Sequence, residues 1–307
     1  CLAQLRKGNF EDAEQAGLKA TSLAPKEHAY WMNLVTAQIQ TGQFAEALRG
    51  HEKMAQIDPQ NTSGRLNRGL LLLMTGQWTE GFLDYEWRDQ AGVNAPPMIQ
   101  GPPWQSLSEV KGRRVVIMKE QGLGDSLQFL RYAQVLADHG AHVFAAMQDA
   151  LFPLLKGNVP GVELTRTTDL PETCHYQFRL LSLPFAMGST PDNVPPPTRL
   201  DLKLEDRIEA WRTRLGDDGF KIGICWQGST GLTDVGRSFS VLEFGRLAKL
   251  PGVRLISLCK GAGEEQLNTS IFPFPIERLG PDFDADGQDF LDSAAVLQLC
   301  DLVITSD

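Results

Sequence analysis

The stretch R-V-V-I-M-K-E-Q-G-L-G-D-S-L-Q-F-L runs from Arg114 to Leu130. Arg114 to Lys119 is a short apolar run without alternation, the pattern of a strand buried on both faces of a helix-covered parallel sheet. Two glycines follow, Gly122 and Gly124, and then helical spacing from Ser126 to His139. Strand, glycine turn and helix in that order open a βαβ unit.

Downstream the alternation continues, with strand-like His142 to Ala146, helix-like Ala150 to Lys156 and strand-like Val162 to Thr165. After the proline-rich Pro191 to Pro197 and an amphipathic segment around Ile208 to Leu215, it restarts. Lys221 to Cys225, Val241 to Lys249, Val253 to Leu258, Phe290 to Cys300 and Leu302 to Thr305 read strand, helix, strand, helix, strand. The expectation is an α/β fold with two Rossmann-like domains, residues 94–217 and 218–307. The second is expected to be truncated, since the chain stops at Asp307 directly after a strand.

Upstream lies a proline-rich boundary, N-A-P-P-M-I-Q-G-P-P-W from Asn94 to Trp104, which no helix absorbs. Before it the chain repeats itself. Gly8, Gly42 and Gly76 are spaced 34 apart, in phase with Phe10, Phe44 and Trp78 and with Ala13, Ala47 and Gly81. A period of 34 with a turn glycine and a small packing residue is the signature of stacked helical hairpins. Residues 1–93 are therefore expected to be an all-α repeat region whose opening unit lacks its first helix. Its last unit runs into Y-E-W-R (Tyr85 to Arg88), a form suited to docking on the next domain. Such arrays bind proteins or serve as spacers, and spacing alone leaves both open.

The 307 residues are 42% hydrophobic and 22% charged, a globular composition. The longest apolar run, Leu70 to Met74, is far below the roughly 20 residues of a membrane span. A net charge of −9 opposes a nucleic-acid surface, which needs clustered Lys and Arg. The five cysteines and five histidines are scattered, with no C-x-x-C pair and no metal-ligand spacing, so no metal is expected and the compartment reads as reducing and cytoplasmic.

Ligands of parallel sheets bind outside the carboxyl ends of the strands, so the loops at those ends are the candidates. In E-Q-G-L-G-D (Glu120 to Asp125), Gln121, Gly122 and Gly124 can bring backbone amides to a ligand at a helix N-terminus. Asp125 is either a general base or a helix cap. In W-Q-G-S-T-G-L-T-D-V-G-R-S, Trp226, Gly228, Ser229 and Ser238 can line a phosphate cradle with Arg237 as a bidentate donor, or the loop is a solvated connection. Lys260 and Asp307 end two further strands; each is a ligand group or, respectively, a solvated lysine and a helix cap.

In their combined order, the repeats, G-x-x-x-x-G-F-x-x-Y-E-W-R, P-x-W, E-Q-G-L-G-D-x-L-Q-F-x-R-Y, L-L-S-L-P, W-x-G with R-S, S-L-x-K-G and D-L-V-I-T-x-D resemble bacterial tetratricopeptide-repeat glycosyltransferase-like proteins. These are related to the heptosyltransferases and the O-linked N-acetylglucosamine transferases. The resemblance implies a GT-B fold, two Rossmann-like domains facing across a cleft. It implies a nucleotide-sugar donor without cofactor or metal, and a protein or glycan acceptor recruited by the repeats. It makes Asp125 the base of an inverting transfer, and Arg237, Lys260 and Asp307 ligands of donor phosphate or nucleotide. The chain departs from the pattern at Cys259, where the family carries Gln, and in lacking a His after Gly228. The alternatives are a non-catalytic interaction scaffold with a degenerate transferase module, or a nucleotide-binding regulatory module.

Overall fold

A computed structural model describes residues 1–89, 106–228, 237–268, 273–285 and 290–306. The chain forms two compact units, one of Cys1–Met147 with Val159–Arg199 and one of Gln148–Asn158 with Leu200–Asp307. It is an α/β protein with a helical N-terminal region and two parallel sheets.

The first unit begins with helices α1 (Leu2–Arg6), α2 (Phe10–Leu23), α3 (His28–Gln40), α4 (Phe44–Ile57), α5 (Thr62–Met74) and α6 (Trp78–Tyr85). The three glycines spaced by 34 share one conformation, with φ of +75°, +75° and +82° at Gly8, Gly42 and Gly76. In each turn the next residue donates back across the end of the preceding helix, Asn9 to Gln4 O, Gln43 to Gln38 O and Gln77 to Leu72 O. This is a Schellman stop, which needs a left-handed residue. A Cβ at any of the three would meet nothing within 4 Å, so glycine is required there by its dihedral and not by space. Gly81 is the opposite case: a Cβ there would lie 2.9 Å from the backbone nitrogen of Leu73, so α5 and α6 approach backbone to backbone. Ala13 and Ala47, in the same column of the repeat, are fully buried.

The unit continues with β1 (Arg114–Met118), α7 (Leu123–Asp138), β2 (His142–Ala146), β3 (Val162–Thr165) and β4 (Tyr176–Arg179); the one-turn α8 (Phe152–Leu155), between β2 and β3, falls in the other unit, and α9 (Leu183–Ala186) follows β4. All strands are parallel in the order β3-β2-β1-β4, with Val116 opposite Phe144 on one side and Gln177 on the other. Val115, Val116 and Ile117 are buried, as their unbroken apolar run requires.

The second unit contains α10 (Glu205–Leu215), β5 (Phe220–Cys225), β6 (Val253–Ser257), β7 (Glu277–Arg278), α11 (Leu291–Leu297) and β8 (Leu302–Thr305). Its parallel sheet has the order β7-β6-β5-β8, the same arrangement as the first. Both match the first half of the doubly wound order 3-2-1-4, which places a switch point between β1 and β4 and another between β5 and β8.

The helical region and the first sheet fall in one compact unit, and α10 falls in the other. The reason is packing, since Trp211 and Leu215 of α10 bury against Ile256, Leu279, Phe283, Ala295 and Val296. The helix expected over Val241–Lys249 is a 3-10 helix, with Val241, Phe244, Leu247 and Ala248 packed into the core of the second unit. Ala150 to Lys156 contains a single α turn. Among the described residues no helix is long and apolar enough to cross a membrane.

Candidate functional site

In the first sheet the site grows from the end of β1. The strand delivers Glu120 into the interior, 3% exposed, and the chain then turns sharply through Gln121, whose φ is +61°. A non-glycine residue in the left-handed region is uncommon and marks a backbone held by its surroundings. Gly122 is the N-cap of α7, and its N–H donates to Asp125 Oδ2 at 2.9 Å. Asp125 thus stands one turn in, at the third helical position, with its carboxylate folded back over the helix start. Gly124 is exposed and a Cβ there would meet nothing within 4 Å, so its backbone faces open space.

What holds this loop comes from the helical region. Arg88, in the 3-10 turn Glu86–Asp89 after α6, is fully buried. Its Nε donates to Glu120 Oε1 at 2.5 Å and its Nη2 to Glu120 Oε2 at 3.0 Å, a bidentate pair. Its remaining protons reach Ser182 Oγ at 2.7 Å, Glu86 Oε1 at 2.8 Å and Tyr85 O at 3.1 Å. Ser182 Oγ in turn donates to Glu86 Oε2, and Arg179 at the end of β4 lies 3.6 Å from Glu86 and 3.8 Å from Glu120. Two arginines and two glutamates therefore balance in the interior at the switch point. Burial works against charge on Arg88, but the bonds and attraction of Glu120 and Glu86 outweigh it and hold it protonated. The Tyr85 phenol is raised above its ordinary value, first by burial, against which Arg88 acts, with Glu120, Asp125 and Glu86 adding to the rise. Tyr85 and Arg88 are functional candidates that strand-end reasoning overlooked; the Y-E-W-R string had signalled docking but not its target.

In the second sheet, β5 ends at Cys225 and leads to Trp226, which is fully buried among Ile224, Val241, Phe244, Leu255 and Leu267. The expectation that Trp226 lines a ligand is corrected: its ring is core. Gln227 Nε2 and Gly228 N both donate to Ser238 Oγ at 3.0 Å. Arg237 is exposed beside it. Ser229 and Asp307 lie outside the described residues. The Lys260 ammonium donates to Phe283 O at 2.7 Å and to Asp284 O, tying the end of β6 to a neighbouring turn. Two of its three protons are therefore committed to protein carbonyls. Among the described residues no three His, Cys, Asp or Glu side chains gather as a metal site.

Gln121, Gly122, Gly124 and Asp125 thus share one loop in the first unit. Gly228 and Ser238 are hydrogen-bonded in the second, with Arg237 next to Ser238 in the chain and Lys260 three residues past the end of the adjoining strand.

No family model matches the chain. The protein FlbA of Caulobacter vibrioides is 26% identical over 252 residues, which span 73% of this chain and 41% of that protein. The chain therefore spans about two fifths of the length of this curated relative. Among solved structures, the type III secretion chaperone SycD of Yersinia enterocolitica, bound to a peptide of the translocator YopD, is 19% identical. It covers 31% of this chain and 72% of its own, at a TM-score of 0.29. The iron-containing dodecameric glycosyltransferase TibC of enterotoxigenic E. coli is 17% identical, covering 64% of this chain and 54% of its own at a TM-score of 0.41. TibC in complex with ADP-D-beta-D-heptose gives 16% identity and 0.40.

Proposed function

We propose that the chain is a glycosyltransferase-like protein whose helical hairpins are tetratricopeptide repeats that recruit a protein or glycan acceptor. The observation that carries the reading is the position of the Glu120–Asp125 string. It occupies the carboxyl end of β1 at a switch point, where parallel sheets bind ligands, with a 16-residue helix starting at it. The same topology recurs in the second sheet, as a protein with separate acceptor and donor modules requires.

In this reading Asp125 takes the acceptor hydroxyl proton as that oxygen attacks the anomeric carbon of a nucleotide sugar. The bond to the leaving phosphate oxygen breaks, and the charge on the departing diphosphate needs hydrogen-bond donors or cations; within the second unit, Arg237 is the residue this reading assigns to donor phosphate. Lys260 contributes its remaining proton or orders the turn at Phe283.

A second reading has a specific observation in its favour. The Asp125 carboxylate is engaged by Gly122 N–H and the Lys260 ammonium by two carbonyls, which suits an interaction scaffold without turnover. Calorimetry of the chain with a panel of nucleotide sugars, together with donor hydrolysis, separates the two. Heat and slow hydrolysis with one donor support the transferase; neither with any donor supports the scaffold.

A further inference from the structure

β5 and β6 run side by side with Ile224 opposite Ser257, so Cys225 closes one strand and Cys259 follows the other by two residues. Their sulfurs are 3.3 Å apart, the Cys259 thiol donating to Cys225 Sγ. Cys225 is half-buried, and Cys259, 6% exposed, lines a cavity of about 370 Å³ together with Ser257, Lys260, Arg278 and Phe283. A disulfide requires the sulfurs to close to about 2 Å, a further approach of about 1.3 Å.

We propose that Cys225 and Cys259 are a redox-active dithiol, a modification site at the carboxyl end of the second sheet that closes to a disulfide on meeting a peroxide. The roles of the two sulfurs differ. Cys225 is held down to about 6, first by the bond it accepts from Cys259, against the effect of burial and with help from the Gln227 backbone and then Thr305. Cys259 is pushed above its ordinary value by that same contact and by burial. Cys225 is thus the thiolate that attacks and Cys259 the thiol that resolves. Cys225 sulfur bonds to one oxygen of hydrogen peroxide, the O–O bond breaks, and hydroxide leaves to become water with a proton from solvent. Cys259 sulfur then bonds to Cys225 sulfur, the S–O bond breaks, and the second oxygen leaves as water with the Cys259 proton. Two thiols lose two electrons and one peroxide gains them.

The site is independent of any sugar chemistry, and its geometry is local to the second unit. The disulfide would form immediately ahead of Trp226, Gln227 and Gly228. It would withdraw the Cys225 sulfur from Gln227 O, now 3.6 Å away.

The test uses the whole chain, reduced, freed of reductant, exposed to a small molar excess of hydrogen peroxide, alkylated and digested with trypsin. Cleavage after Lys221, Arg237, Arg254 and Lys260 places the two cysteines in separate peptides, 222–237 and 255–260, each with no other cysteine. The expected product joins these two peptides, lighter than their sum by two hydrogens, and dithiothreitol separates it. Alkylatable thiols fall from five to three, leaving Cys1, Cys174 and Cys300. Cys259→Ser removes the cross-link and leaves Cys225 open to further oxidation. Full alkylation of both residues, at a peroxide dose that oxidises glutathione in the same tube, would overturn the proposal. So would cross-linking of Cys225 to Cys1, Cys174 or Cys300, or accumulation of Cys225 sulfinic acid in the unsubstituted chain. The wild-type experiment needs no variant, so a substitution that fails to fold leaves the result intact.

Discussion

Arg88 and Glu120, 32 residues apart, meet in a bidentate pair from which solvent is excluded on both sides. One comes from the turn after the last repeat helix and the other stands beside the glycine loop. The helical region is therefore a structural part of the loop it adjoins. Removing one partner of a buried pair strands the other charge and costs about 3–5 kcal/mol. Arg88→Met is expected to lower the stability of the first unit by that amount, read as a shift in the urea midpoint. Arg88→Met with Glu120→Gln together recover part of it. A midpoint unchanged in the single variant would show that the pair carries no such weight.

Asp125→Asn keeps an oxygen that can accept from Gly122 N–H and so keeps the start of α7. If the carboxylate is the base, turnover of the donor that binds falls by about 100-fold or more while its affinity stays within a factor of about two. Equal rates would assign Asp125 to the helix start alone.

The left-handed turn glycines and the open Gly124 predict opposite results from one substitution. Gly42→Ala forces a side chain into φ of +75° and costs about 1–2 kcal/mol, part of which Gly42→Asn recovers. Gly124→Ala meets no atom within 4 Å, so thermal stability holds within about 0.5 kcal/mol. Calorimetric melting of the three variants checks all of this.

His51 supplies a pH dependence. It lies 2% exposed in α4 with neither ring nitrogen hydrogen-bonded, and burial first, then Arg68, lower it to about 4 from 6.5; His28 acts the same way and Asp84 opposes. A base depressed in the folded state binds its proton only in the unfolded state between those values. Stability from this residue is complete above pH 6.5 and falls as pH drops toward 4, by about 3 kcal/mol in all. Below pH 4 the loss levels off. Denaturation of His51→Phe against the unsubstituted chain across that window should show a flatter slope in the variant; parallel curves would remove His51 as the cause.

β1 was legible because a strand covered on both faces has nowhere to put a polar residue, and the other short apolar runs were read by the same pattern. β2, β3 and β8 coincide with their apolar runs, and β1, β5 and β6 differ by a residue at one end. β4 was not, since Tyr176, Gln177, Phe178 and Arg179 mix polar with aromatic residues, and its Arg179 is tolerated only because Glu86 and Glu120 stand close. β7, of two residues, has no period to read. At the site, glycine spacing located the turn at Gly122 and Gly124. It did not reveal Arg88, because a long-range buried pair leaves no local pattern. Trp226 misled for a related reason: a strand end can point an aromatic ring inward as readily as toward a ligand.

The equivalence of Gly8, Gly42 and Gly76 also limits how such an array can change length. Each hairpin turns on the same dihedral and presents its small residue at the same offset, so adding or deleting a block of 34 residues keeps every face in phase. Any other increment rotates the following helices out of register and turns an apolar face to water. The array can grow or shrink only in whole steps, and the docking turn that carries Arg88 must remain the last one.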